Sequence, residues 1–409
     1  FRIEYQCGFD ADGRIIALDA MLHADGGAYA DLSTAIMERA MLHCDNAYFI
    51  PNMRVRGQVC RTNFHPHTAF RGFGGPKGVA LIESVIEDIA RVVGRDALDV
   101  RILNCYGPGQ DMTPYGQRVE DNHLPELFAT LTERCAYRAR RAEIDAWNGD
   151  RTRNPEGHPR GLSLTAVKFG ISFTTRFLNQ GNALVNLHRD GTVQVSTGAV
   201  EMGQGVNARI ATIVAEQFGL PADSVRMMPT STEKNANTSP TAASTGTDIN
   251  GAAALQACET IRGRLSALAI RLRSIPREAW AGKTAGLGTM PEIAVGAGVG
   301  PCGTDEQRVE FREGSVTVTD RSGAVFSVGF AELVREAYLN RISVSEYAHY
   351  RIPDLGFDKV TGKGRAFLYF TQGVAASEVE LDRNTGEVKV RRVDMLMDMG
   401  RPVNHALDM

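Results

Sequence analysis

The chain has 409 residues, 43% hydrophobic and 23% charged, the composition of a globular protein long enough for two domains. Its 45 Lys and Arg against 48 Asp and Glu leave a net charge of −3, which gives no support for a nucleic-acid or acidic-membrane partner. Seven scattered cysteines (Cys7, Cys44, Cys60, Cys105, Cys135, Cys258, Cys302) form no C-x-x-C pair, so no disulfide framework or zinc or iron–sulfur ligand set is visible, and no apolar run reaches the roughly 20 residues of a membrane span.

In chain order, FRIEYQCGF and IIALDAMLHA flank DADGR and predict a hairpin. The loop GGAYADLS leads into TAIMERAMLH, an apolar run that contains Arg39, and MRVRGQVCRT reads as a strand. Next comes TAFRGFGGPKG, residues 68–78. Pro76 suits the first position of a helix, Val79, Leu81, Ile82, Val85, Ile86, Ile89 and Val93 recur at helical spacing, and Gly94 ends it. DALDVRILN is a second helix, and Leu124 to Trp147 a third region. NGDRTRNPEGHPR, residues 148–160, is polar and rich in Gly and Pro, and marks the expected boundary between domains 1–150 and 160–409.

Strands restart at GLSLTAVKFGISF and at ALVNLHRDGTVQVSTG, with a DG turn. EMGQG precedes a helix through Ala215, VRMMP reads as a short strand, and TSPTAASTGT precedes a helix from about Asp248 to Leu272. Residues 273–305 read as irregular. A hairpin, a helix near FAELVREAY, and the strands LYFTQGVAASEVELD and EVKVRRVDMLMDMG around DRNTGE follow. Without a regular β-α-β repeat, the class is α+β.

Glycine is over-represented, at 42 residues. Three loops share one design, small residues followed by a helix: AFRGFGG, EMGQG and TSPTAASTGT. Helix N-termini present unpaired N–H groups, and small residues let ligand atoms approach the backbone, so the three together point to a large, phosphate-bearing cofactor. Walker A needs Gly where Pro76 stands, and a Rossmann G-x-G-x-x-G from Gly72 needs Gly where Lys77 stands, so ATP, NAD and FAD are poorly supported. Phe73 and Phe173 could sandwich a flat ring, or be ordinary core residues. Arg71 could meet anionic or carbonyl acceptors on a ligand or simply a buried backbone. Arg39 could pair with a carboxylate or touch substrate. Glu201 is either an acid/base residue or a cap for the backbone after it. His65 and His67 lack a third metal ligand nearby.

In this order TAFRGFGGPKG, KFGISFT, EMGQG, NTSPTAAS, GVAASEVELD and MDMGRPVNHALD resemble the molybdenum hydroxylases, the xanthine oxidase/aldehyde oxidase family, over nearly the whole chain. The resemblance implies two mixed α/β molybdopterin-binding domains with the cofactor at their interface and molybdenum held by the pterin dithiolene, with no direct protein ligand. It implies that Phe70 and Arg71 lie beside the cofactor, that Gln204, Ala242 and Ala243 contact the pterin, and that Gly203, Gly205 and Ser244 admit its backbone contacts. Phe73 and Phe173 would hold a heterocyclic substrate, Thr174 and Ala243 would line its pocket, and Arg39 would orient a purine and stabilise developing negative charge.

Arg39 favours the purine-oxidising, xanthine dehydrogenase-type members over aldehyde oxidases. The implied reaction takes hypoxanthine or xanthine to urate with water as oxygen source. Electrons would pass to 2Fe-2S clusters, FAD and NAD on other domains or subunits, in a cytoplasmic homodimer or dimer of heterodimers. The family's Gly-Glu-Pro-Pro general-base segment and a glycine-rich segment with a second substrate-binding glutamate are not in this sequence, and are expected beyond its two ends. The alternatives are an aldehyde or other N-heterocycle hydroxylase, or a non-catalytic cofactor-binding homologue.

Overall fold

A computed structural model describes residues 1–235, 238–280 and 307–404. The chain packs as two compact units: Phe1–Arg176 with Asp354–Gly400, and Phe177–Pro353 with the C-terminal residues from Arg401.

In the first unit, β1 (Arg2–Phe9) and β2 (Ile15–Gly27) form the expected antiparallel hairpin. Asp10 closes its turn, Oδ1 accepting from the N–H groups of Asp12 (3.0 Å) and Arg14 (2.8 Å). The apolar run around Arg39 is a helix, α1 (Ser33–Met41), crossing over to β3 (Asn52–Arg61), which lies parallel to β2. α2 (Gly75–Val93) starts with proline in its first turn and ends at Gly94, whose φ of +68° only glycine adopts without strain. Its Ile82, Val85, Ile86 and Ile89 meet Ile15, Leu18, Ala20 and Leu22 of β2 in one core, each large side chain stabilising the unit by about 1.5–3 kcal/mol. Asp96 caps α3 (Ala97–Asn104) by accepting from the Leu98 N–H.

The third helical region divides into α4 (Leu124–Arg134) and α5 (Tyr137–Gly149), separated by Ala136 at a φ of +50°. The segment 148–160 is not the boundary between the compact units. It is a braced loop of the first unit, in which the Asn148 side chain bonds both N–H and C=O of Arg160 and the Arg160 guanidinium lies 3.5 Å over the Trp147 ring. Gly, Pro and polar residues mark a turn there, and the chain leaves the unit only after Arg176. β4 (Arg160–Ile171) then forms the edge of a second sheet.

The second unit holds β5 (Gln180–Leu187) and β6 (Val193–Thr197), paired through the DG turn, then α6 (Val206–Phe218), β7 (Val225–Met227) and α7 (Gly246–Leu272). α7 is buried on Ala253, Ala254, Ala257, Ile261 and Leu265, and its small residues let α6 pack closely through Ile210, Val214 and Phe218. β8 (Gln307–Arg312), β9 (Ser315–Asp320) and β10 (Val325–Gly329) make an antiparallel sheet before α8 (Phe330–Leu339). β11 (Ser345–Arg351) returns to give the order β11-β5-β6-β7.

Back in the first unit, β12 (Gly356–Asp358) and β13 (Lys363–Arg365) form a short hairpin, and β14 (Tyr369–Leu381) and β15 (Val388–Asp398) complete the sheet β15-β14-β4. The expected irregular segment lies outside the described residues from 281 to 306, as do Cys302 and the C-terminal HALDM. Cys7, Cys44, Cys60, Cys105, Cys135 and Cys258 are free thiols, and among the described residues no helix is long and apolar enough to cross a membrane.

The α1–α2 contact is unusually close. A Cβ at Gly78 would lie 2.2 Å from the Ala40 carbonyl oxygen, and one at Gly74 would lie 2.1 Å from that of Ile36. Gly78→Ala gains up to about 1 kcal/mol of helix propensity but forces a methyl into backbone, so a net loss of about 1–3 kcal/mol is expected in urea unfolding of the first unit. A Gly78→Ala chain as stable as the original contradicts this packing.

Candidate cofactor and substrate site

The strand β4 bonds β14 on one edge only. On its other edge, peptide groups of Leu162, Ala166, Lys168 and Gly170 are met by side chains. The Leu162 carbonyl accepts from Arg141 (2.7 Å), and Asn46 bonds both the Ala166 carbonyl (2.8 Å) and the Lys168 N–H (3.0 Å). The Gly170 N–H donates to Nε2 of His43 (3.1 Å), so Nδ1 carries the ring proton and donates to the Arg39 carbonyl (2.8 Å). Arg39 itself donates from Nη1 to the Gly170 carbonyl (2.8 Å) and from Nη2 to the Ser172 carbonyl. Arg39 stands on α1 and His43 and Asn46 in the turn after it, where Asn46 is left-handed at a φ of +41°, and together they meet an edge of period two.

Arg39 is 2% exposed, and its cation lies 5.4 Å and 5.3 Å from the Phe169 and Phe367 ring centroids. Burial lowers its pKa to about 10, with the charge on Glu38 opposing, so it stays a cation at neutral pH. The partners expected of a buried arginine were carboxylates; here they are peptide carbonyls. Burial pushes the His43 imidazole down to about 3, helped by the charges of Arg39 and Lys168, so it is neutral. Beneath it Lys168 and Asp45, 1% and 2% exposed, pair at 3.2 Å, and Tyr106 donates to the same carboxylate oxygen at 2.7 Å.

The FRGFGG loop packs against this assembly through its glycines. Gly74 abuts Ile36, one turn before Arg39 on α1, and a Cβ at Gly75 would strike the Phe169 ring at 2.6 Å. Gly170 has the same need, since the Phe367 ring lies where its Cβ would be. Bare backbone beside aromatic rings therefore serves packing at Gly74, Gly75, Gly78 and Gly170, not only ligand approach. Phe73 is half-buried, Phe70 is 80% exposed and Arg71 is exposed. Phe173 and Thr174, half-buried, follow Ser172 directly, so Arg39, Phe73 and Phe173 belong to one end of the α1–β4 seam.

In the second unit, Glu201 caps α6. Its Oε1 accepts from Gly203 and Gly205 (both 2.9 Å) and its Oε2 from Asn207 (3.1 Å), and these N–H groups hold its carboxyl below the ordinary range. Of its two readings, the cap is the one the geometry supplies, and the EMGQG amides expected to face an anionic ligand are already paired. Gln204 folds back onto the loop, accepting from Met202 (2.6 Å) and donating to Val200 (2.9 Å), which leaves its amide one N–H and one lone pair. Gly203, at a φ of +94°, has open space around its Cβ position. Ala242 and Ser244 are exposed and Ala243 is half-buried, and Ala243 and Ser244 are left-handed at +54° and +61°.

Left-handed non-glycine residues cost about 1–3 kcal/mol each and collect at ligand sites. Phe73 (+48°), Ala243 and Ser244 are three of them, and Ser172 (+150°) adjoins Phe173. Small exposed side chains, an open Gly203 and strained backbone fit a cofactor carried on main chain. The His65 and His67 rings lie 5.0 Å apart, tilted by 57°, and no trio of metal-ligating side chains occurs among the described residues. Sequence reasoning passed over His43, Asn46 and Phe169, because the turn after α1 that brings His43 and Asn46 to β4 has no local signature.

Residues 130–409 match a molybdopterin cofactor-binding domain family, and residues 1–105 a second family of the same description. The chain is 39% identical over 406 residues to a xanthine dehydrogenase of Oryza sativa subsp. japonica, covering 99% of the chain and 25% of that protein. It is 36% identical over 408 residues to a xanthine dehydrogenase/oxidase of Rattus norvegicus, covering 100% and 26%. It thus spans about a quarter of the length of these relatives. Its fold is similar to that of a reconstituted CO dehydrogenase from Oligotropha carboxidovorans, with a TM-score of 0.78, 20% identity, and coverage of 99% of this chain and 47% of that one.

The Glu201 cap has a pH signature. A depressed carboxyl adds stability above its unfolded pKa and loses it as pH falls through the folded one. Glu201→Gln should weaken the second unit by about 1 kcal/mol at pH 7 in urea unfolding, with the difference closing in acid. A difference that persists in acid contradicts the cap.

Proposed function

This chain belongs to the molybdopterin cofactor-binding family, as the molybdenum-binding part of xanthine oxidase-type proteins, and on that premise we propose that it serves a purine hydroxylase. In this reading hypoxanthine or xanthine is converted to urate with water as oxygen source. Electrons pass to iron–sulfur and flavin parts carried elsewhere and then to NAD, within a cytoplasmic oligomer.

When bound, molybdopterin supplies the redox centre for the hydroxylation. Phe70 and Arg71 in the first unit, and Gly203, Gln204, Gly205, Ala242, Ala243 and Ser244 in the second, are the residues that would hold it. Phe73 and Phe173 hold a flat heterocycle by their ring faces and edges and keep water from it, with Thr174 beside it. Arg39 orients a ring carbonyl and stabilises negative charge as it grows, which a fixed cation in a dry environment does best.

The observation that carries the purine reading is Arg39: a buried cation, paired with peptide dipoles and, among the described residues, with no carboxylate bonded to it, at the end of the strand that leads to Phe173. Neutral carbonyls fix its direction but leave its charge uncancelled. In the full-length enzyme, Arg39→Met should lower kcat/KM for xanthine about 10²–10³-fold while molybdenum and pterin content and aldehyde turnover persist. Purine turnover that survives the change contradicts the reading.

A further inference from the structure

We infer that His43 is a positioning residue for purine recognition, acting through Arg39 and through the strand end that carries Phe173. The inference rests on the purine reading above.

His43 touches both ends of one arrangement. Its Nδ1–H donates to the main-chain carbonyl of Arg39, and its Nε2 accepts from the N–H of Gly170. Gly170 in turn accepts from the Arg39 guanidinium through its carbonyl, which closes a ring of three hydrogen bonds linking α1 and the turn after it to β4. The ring is directional, because only the neutral imidazole with its proton on Nδ1 can donate to a carbonyl and accept from an amide at once.

The imidazole is held in turn by Phe169 at 4.8 Å and Phe367 at 5.2 Å between ring centroids, the same two rings that face the Arg39 cation. The groups facing it are thus Arg39 from α1, Lys168 from β4 and these aromatic rings, with Asp45 paired to Lys168. Among the described residues no carboxylate bonds the imidazole, whose two nitrogens are both engaged by peptide groups. A shift of His43 moves Arg39 relative to Ser172, and with it Phe173. Misplacement of a substrate-orienting group by about 1 Å can cost about 100-fold in rate.

The test uses the full-length, molybdenum-loaded enzyme with xanthine and an aldehyde as paired substrates. His43→Phe keeps a ring between Phe169 and Phe367 but breaks both hydrogen bonds; His43→Gln, the second variant should Phe fail to fold, can keep one. The expected result is a fall in xanthine kcat/KM of about 10- to 100-fold for Phe and less for Gln, with metal content within about two-fold of the original and aldehyde turnover falling much less than xanthine turnover. Combined with Arg39→Met, His43→Phe or His43→Gln should add little further loss, because the two residues act as one unit. Equal losses on both substrates, or additive losses in the double variant, overturn the positioning role and leave Arg39 standing. If Arg39→Met alone spares xanthine turnover, the purine reading fails, and this inference with it.

Discussion

An edge strand carries a row of peptide groups that must find partners once it is buried. In this protein β4 solves that problem with side chains from α1 and the turn after it, and much of the first unit follows from the solution. Arg39, His43 and Asn46 replace the neighbouring strand that β4 lacks. The same bonds give Arg39 a single direction, and tie α1 to the backbone immediately before Phe173. The direction of the buried Arg39 cation and the path of the backbone into Phe173 are thereby set by the fold's own hydrogen-bond needs.

The charges beneath this seam are arranged to keep it so. Lys168 and Asp45 neutralise one another out of solvent, and Tyr106 shares the carboxylate. His43 stays neutral because burial and two nearby cations oppose its protonation. Arg39 therefore remains a cation whose hydrogen bonds go to peptide carbonyls, with the Phe169 and Phe367 rings beside it. Glycines at 74, 75, 78 and 170 bring the rings and helices close enough for the arrangement to hold, since any side chain there would meet backbone or aromatic carbon. The second unit uses a different device. Glu201 ties down its own loop by accepting from the N–H groups of Gly203, Gly205 and Asn207.

Much of this was legible in the sequence. The first hairpin follows from alternation around DADGR, α2 from its apolar spacing between Pro76 and Gly94, and α6 and α7 from the small-residue loops ahead of them. The family emerged from the order of its loops. What escaped was long-range. The first unit takes its last strands from residues 354–400, and no local pattern reports that Val374 will pair with Ala166. The turn at 148–160 looked like a boundary because composition distinguishes loops from helices, but not linkers from braced loops. The glycines of FRGFGG looked made for a ligand because packing against Ile36 and Phe169 cannot be seen without the fold.

The most direct test of the account is a structure of the molybdenum-loaded full-length protein with a purine bound. The account predicts the purine held by Phe73 and Phe173, with Arg39 in hydrogen-bond reach of a ring carbonyl while it still donates to Gly170 and Ser172. A purine bound away from Arg39, or an Arg39 released from both carbonyls, would contradict it.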